Sequence, residues 1–356
     1  MGELAPDQST VLETFRSCCA AEGLLGRREG LQAGDVVDGI NDNTTLLRYL
    51  GARRMDPKAA LKQLQEATQF QADRQVLRLY DLISVEHYEE TRKLYPHWTG
   101  RRDRRGRPIL VLDLAHLNAS TMAAWRKTRD ISRNTELTAS GTIIPDMEQR
   151  AAIYFDSITR FVLPLCSAMS DRPDPTTPID KSMYIVDASA LSLKQAWDLR
   201  EFARDISWIL STCYPETIDR IIVRLGNAPF YFAKIWAFMK NFVDPITADK
   251  LVITRPADAY ATMAEHMDHK DIPSQFGGGF QFTNGMLPDL DEGIQQALQW
   301  TSSSKEALPQ GPLKWTEDEN GQRRAVATGS IDGRQRSEEV AILPVNPTTL
   351  PSELPN

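Results

Sequence analysis

The sequence predicts an α/β fold in which an N-terminal helical unit precedes a mostly parallel sheet flanked by helices. Four short apolar runs carry the prediction, at Ile109–Leu114, Ser182–Val186, Ile221–Leu225 and Leu251–Thr254. A strand covered on both faces is apolar throughout rather than alternating, so these runs read as buried strands. Long helical segments lie between them, near 122–134, 145–169 and 192–214. Strands that alternate with helices imply parallel pairing through right-handed crossovers. Length is the third observation: 356 residues, 41% of them hydrophobic, suffice for one large core with an appended helical unit.

In chain order, the stretch from Leu12 to Arg92 is helical in pattern. Thr44 or Thr45 is expected to cap a short helix running to Leu50, and Asp56-Pro57 to open a longer one, since proline suits a first helical turn. In that second helix Ala60, Leu61, Leu64, Ala67, Thr68 and Gln71 fall near one face. Arg107-Pro108 leads into the first apolar run, and the proline-rich segment Asp171 to Pro178 reads as an exposed loop. Pro288 to Gln299 has the spacing of one amphipathic helix. Beyond Ser302 the chain is polar and rich in Pro, Ser and Thr, which predicts extended or disordered chain. The expected organisation is residues 1–95 as the helical unit, 96–285 as the α/β unit and 286–356 as a largely disordered extension.

The net charge of −7 argues against bulk attraction to nucleic acid, so none is expected as a partner. Cys18, Cys19, Cys166 and Cys213 form no C-x-x-C pair, which points to reduced thiols in a reducing compartment. No basic-then-apolar leader opens the chain and no run approaches a membrane span, so a cytoplasmic protein is expected. The familiar catalytic and phosphate-loop motifs (G-x-G-x-x-G, G-x-x-x-x-G-K-S/T, H-E-x-x-H, G-x-S-x-G) are missing. His266 and His269 could share a metal but read more simply as surface histidines. Asp187 ends a strand, where α/β enzymes often place catalytic groups, yet no nucleophile and base accompany it.

The most informative segment runs from Asn227 to Val243. Pro229 suits a helix start and Asp244-Pro245 a stop. Between them Phe230, Tyr231, Phe232, Ile235, Trp236, Phe238, Met239, Phe242 and Val243 cover nearly the whole circumference. A helix apolar all round is either a central core helix or a lid over something greasy. Thr247 and Lys250 follow the stop, three residues apart on one face of a turn. A hydroxyl and an ammonium beside a greasy helix suit a phosphate ester on an apolar tail.

The run N-A-P-F-Y-F-A-K-I-W-A-F-M-K-N-F-V-D-P-I-T-A-D-K, ending at Lys250, resembles the gate-helix signature of CRAL-TRIO lipid-transfer proteins, especially yeast-type phosphatidylinositol/phosphatidylcholine transfer proteins. Four more segments agree in order. Leu46 to Asp56 is similar to L-L-R-F-L-x-A-R-K-F-D, Asp103 to Pro108 to D-x-x-G-R-P, Tyr214-Pro-Glu216 to Y-P-E, and Ile272 to Gly278 to L-P-x-x-F-G-G. The resemblance spans about Leu12 to Phe282.

What it implies is a CRAL-TRIO fold without covalent chemistry: a phospholipid carrier that is monomeric, touches membranes transiently and needs no cofactor beyond its bound lipid, phosphatidylinositol. It implies a phosphoinositide headgroup site of Arg53, Arg54, Glu216, Thr247 and Lys250, with Arg54 where lysine is common, and a gate formed by Phe230, Phe232, Ile235, Trp236, Phe238, Met239 and Phe242. The choline pocket of relatives would fall on Thr99, Leu110, Ser192 and Lys194, with Trp98 as a displaced aromatic face. The loss of tyrosines there leaves the second ligand open. Other hydrophobic ligands, such as a sterol, haem or a secondary metabolite, and lipid presentation to a phosphoinositide kinase, stand as alternatives.

Overall fold

The computed structural model describes residues 6–129, 143–226, 245–302 and 304–344. Five helices come first: α1 (Pro6–Ala21), α2 (Asn43–Ala52), α3 (Pro57–Asp73), α4 (Val76–Leu82) and α5 (Val85–Arg92). Asp56 caps α3 as its sequence suggests, accepting from the Lys58 and Ala59 amides. The cap of α2 lies further back than expected. Asp42, not Thr44 or Thr45, accepts from the Thr45 amide at 3.0 Å, and its other oxygen takes the Thr45 hydroxyl and the Gly39 amide.

The central sheet has the order β1-β2-β3-β4-β5. Its strands are β1 (His97–Arg102), β2 (Pro108–Asp113), β3 (Ser182–Ala188), β4 (Ile218–Leu225) and β5 (Leu251–Thr254). β2 to β5 pair in parallel, with Leu110 beside Tyr184, Tyr184 beside Ile221 and Ile221 beside Leu251. β1, unmarked by any apolar run, adds antiparallel to β2. The turn between them explains its motif. The Asp103 carboxylate accepts from the Arg105 and Arg107 amides, and Gly106 supplies a left-handed φ of 85°.

Helices cover both faces of the sheet. On one, Leu110, Leu112, Tyr184 and Ile221 pack against Tyr95, Trp125, Phe155 and Phe202. Trp125, Phe155 and Phe202 come from α6 (Ala119–Arg129), α7 (Met147–Ser157) and α10 (Arg200–Cys213), Tyr95 from the segment just before β1, and α9 (Leu193–Asp198) lies just before α10. A π-type turn, Ile158–Val162, links α7 to α8 (Leu163–Ser167). On the other face Ile109, Val111, Met183, Ile185 and Ile222 meet Ala259, Met263, Met267 and Phe276, partly from the helix Pro256–Ala264. Phe230, Phe232, Ile235, Trp236, Phe238, Met239 and Phe242 lie outside the described residues.

The expectation of a disordered extension is wrong for residues up to 344. The helix expected over Pro288 to Gln299 shortens to Glu292–Ala297. Then β6 (Gln299–Trp300), β7 (Leu313–Glu317), β8 (Arg323–Ala327) and β11 (Glu338–Leu343) form an antiparallel sheet of order β6-β11-β8-β7, with a small hairpin of β9 (Ser330–Ile331) and β10 (Arg334–Gln335). Side-chain alternation gives this sheet one apolar face, and that face is buried: Trp315 is 2% exposed, stacks on Phe161 at 4.9 Å and donates its indole N–H to the Phe161 carbonyl. Lys314 reaches the carboxylates of Asp35 and Asp81 at 3.0 and 3.1 Å. The segment before α2 is thereby clamped, with the Val36 amide on the Trp315 carbonyl and the Glu317 amide on the Gly34 carbonyl.

Candidate functional site

The site begins where α2 ends. The amide of Met55 bonds the Leu50 carbonyl and that of Arg54 bonds the Gly51 carbonyl, a two-bond C-terminal closure that puts Arg54 and Met55 at φ of 53° and 62°. Left-handed backbone without glycine carries strain, which proteins keep where geometry matters. Arg53, at the C-cap, is exposed, and neither its guanidinium nor that of Arg54 has a hydrogen-bond or ion-pair partner among the described residues.

The second wall is the Tyr214-Pro215-Glu216 turn between α10 and β4. The Tyr214 hydroxyl donates to the Ala152 carbonyl at 3.1 Å and reaches buried Asp156 at 3.3 Å. Pro215 prevents α10 from continuing. Glu216 then adopts φ 56°, the third strained residue at this place. The helical unit docks here: the Tyr49 hydroxyl donates to the Cys213 carbonyl, and the Gln63 amide to the Ser211 and Thr212 carbonyls.

The third wall is the single helical turn Pro245–Ala248 leading into β5. The Lys250 amide bonds the Thr247 carbonyl, and the Lys250 carbonyl accepts from Ile221 of β4, which fixes both side chains on one side. Arg53, Glu216, Thr247 and Lys250 line one pocket of about 80 Å³, with Ala52, Leu210, Ser211 and Tyr214 among its other walls. Four of the five residues expected for the headgroup are therefore together. Arg54 adjoins the pocket without lining it.

Inside, the Lys250 ammonium donates to Glu216 Oε2 at 3.0 Å, both side chains being less than one-fifth exposed. A second ammonium, Lys181, stands 3.8 Å from the same oxygen. No motif marked Lys181. Its signal is positional: Lys181, Glu216 and Lys250 each lie just before a strand, at the amino ends of adjacent β3, β4 and β5. The pocket thus carries more positive than negative charge and suits an anion. It opens opposite to the carboxyl-end crevice usual in α/β proteins.

Residues 92–278, just over half of the chain, match the model of the CRAL/TRIO domain. The chain belongs to the CRAL/TRIO family. Among similar proteins, the SEC14 cytosolic factor of Candida glabrata is 25% identical over 263 residues, covering 73% of this chain and 78% of that one. The Arabidopsis thaliana phosphatidylinositol/phosphatidylcholine transfer protein SFH11 is 24% identical over 313 residues, or 86% of this chain and 74% of that one. The crystal structure of Sfh5 superposes with a TM-score of 0.55 at 11% identity, over 83% of this chain and 97% of that chain, a likeness of fold.

Of the five residues expected for a second ligand, Trp98, Thr99 and Leu110 lie together on β1 and β2, and Ser192 and Lys194 at the start of α9. Trp98 and Leu110 are cross-strand neighbours in the core below β1 and β2. Thr99 is fully buried, its hydroxyl donating to the Ile109 carbonyl and accepting from the Arg101 amide. Ser192 caps α9 through the Gln195 amide, and Lys194 is exposed beside it.

The remaining candidates have structural partners. Asp187 binds the Arg224 guanidinium, which also donates to the Gln275 carbonyl and lies over Phe276, so it anchors the Ile272-to-Gly278 segment. Burial raises this carboxyl's pKa, but the hydrogen bonds from Arg224 and Ser189 together with the Arg224 charge outweigh it, leaving the group below its usual range. His266 Nε2 faces Arg220 at 2.6 Å and His269 Nδ1 faces the Tyr260 hydroxyl at 3.1 Å, so the two imidazoles do not converge. Among the described residues no group of three or more metal-ligating side chains occurs and no helix is long and apolar enough to cross a membrane.

Proposed function

We propose that this CRAL/TRIO protein carries phosphatidylinositol between membranes, with no covalent chemistry. One observation supports the reading most: Arg53, Glu216, Thr247 and Lys250, spread over some two hundred residues of sequence, line a single pocket. The names of the relatives, SEC14 cytosolic factor and phosphatidylinositol/phosphatidylcholine transfer protein, support it too. A diacyl lipid has about 30 methylenes, each worth about 0.8 kcal/mol on burial. The bilayer supplies the same burial, so the protein need only match it and selectivity falls to the headgroup. In that role Lys250 and Arg53 meet the phosphate, Thr247 donates its hydroxyl, and Glu216 accepts from inositol hydroxyls.

Lys250→Ala should lower phosphatidylinositol transfer between vesicles at least about tenfold, since charge-assisted contacts contribute about 1.5–3 kcal/mol. The melting temperature should hold. Equal transfer by mutant and wild type would remove the assignment. Native mass spectrometry of the purified protein separates phosphatidylinositol from a sterol or another hydrophobic cargo. Phosphatidylcholine transfer in the same assay should be weak, because Thr99 and Leu110 stand where relatives place tyrosine around choline. Transfer comparable with that of phosphatidylinositol would show another choline site.

A further inference from the structure

We propose that the outer face of α9 and α10 is a docking surface for an anionic lipid bilayer. The two helices follow each other with only Leu199 between them, in right-handed helical conformation, so their outer residues form one row. Trp197, Arg204 and Trp208 recur at spacings of seven and four, hence on one side of that row. Trp197 is 54% exposed and Trp208 40%, an arrangement that a core does not require of two tryptophans. The Arg200 guanidinium lies over Trp197 at 4.4 Å, and Trp208 rests edge-on against Phe70 at 5.1 Å.

The charges around the tryptophans fit the same partner. Lys194, Arg204 and, on neighbouring α6, Lys127 are exposed. The two acids of α10 are less exposed than Arg204. Glu201 is held between Arg126 at 3.5 Å and Arg200 at 3.6 Å, and the Asp205 side chain is 19% exposed against 60% for Arg204. A chain of net charge −7 thus presents a cationic, tryptophan-bearing stripe. Tryptophan partitions to the headgroup layer of a bilayer, and basic side chains beside it are drawn to anionic lipid. A protein partner would be met by either feature alone; together they favour the bilayer. The last turn of α10 supplies Leu210 and Ser211 to the headgroup pocket, so docking by this face brings that pocket to the membrane. In this last respect the proposal builds on the lipid-carrier reading.

The test is co-sedimentation with phosphatidylcholine vesicles with and without phosphatidylserine, using the full chain. Wild type should partition onto the phosphatidylserine vesicles, less onto pure phosphatidylcholine, and less as salt rises. The pair Lys127→Glu with Arg204→Glu should lower that partition by about tenfold or more while melting temperature and bound lipid stay unchanged. Trp197→Ser should remove part of the fluorescence quenching by brominated lipid. Wild-type partition by either variant, or a wild type that stays in solution, overturns the proposal. Lys250→Ala runs alongside: it should lose phosphatidylinositol and dock normally. If it keeps its lipid, the headgroup assignment falls while docking is judged on its own data.

Discussion

Glu216 sits between two ammonium groups, and that pairing bears on how a phosphate could enter. Lys250 holds the carboxylate at 3.0 Å; if a phosphate draws Lys250 away, Lys181 remains to balance a side chain only 17% exposed. A buried charge left without a partner is costly, so Lys181 lowers the penalty of loading. Lys181→Met should therefore slow phosphatidylinositol transfer, by about threefold, less than Lys250→Ala because its ammonium is more exposed and better screened. Lys181→Arg should restore the rate. Indifference to both changes, measured over a range of salt, would make Lys181 a bystander. Arg53, Glu216, Thr247 and Lys250 were readable from sequence because each sits in a short motif. Lys181 was not, because only the pairing of β3 with β4 brings it to Glu216.

Among the elements, the parallel strands announced themselves as apolar runs, because both their faces are covered. β1 did not: His-Trp-Thr-Gly-Arg-Arg mixes polarities, and only the hairpin and the chain near residue 285 make it a strand. His97 ties the two. It is fully buried, its Nε2 accepts from the Gly285 amide at 3.2 Å, and the Nδ1 proton is thereby left for the Tyr95 carbonyl. Burial pulls its pKa down to about 4. The unfolded chain binds this proton below about pH 6.5 and the folded chain does not until about 4, so stability falls as pH drops through that window. Unfolding free energies from denaturant titrations at pH 7 and pH 4.5 should differ in this sense by up to about 3 kcal/mol from this group. His97→Gln should flatten the difference, and a slope unchanged in the variant would assign it to other groups.

At the scale of the molecule, the largest departure from expectation is the C-terminal sheet. Its strands are short and their apolar positions alternate with Lys, Thr, Arg and Glu, so no stretch carries enough periodicity alone. Their order comes from packing on the π-type turn, on α5 and on the segment before α2. Trp315→Ala should cost about 3–5 kcal/mol, and deletion from Leu308 onward should lower the melting temperature sharply, since it strips Lys314 from buried Asp35 as well. An unchanged melting temperature would mean the sheet does not hold the core. The same clamp sets a timetable for synthesis. Asp35 emerges from the ribosome 279 residues before its lysine, so the first helices cannot finish packing until that stretch has been made. Protease resistance of the segment before α2 should appear only once β7 and β8 have cleared the exit tunnel, and the pocket lined by Arg53 and Lys250, whose first wall hangs from that segment through Asp42 and α2, should be complete no earlier.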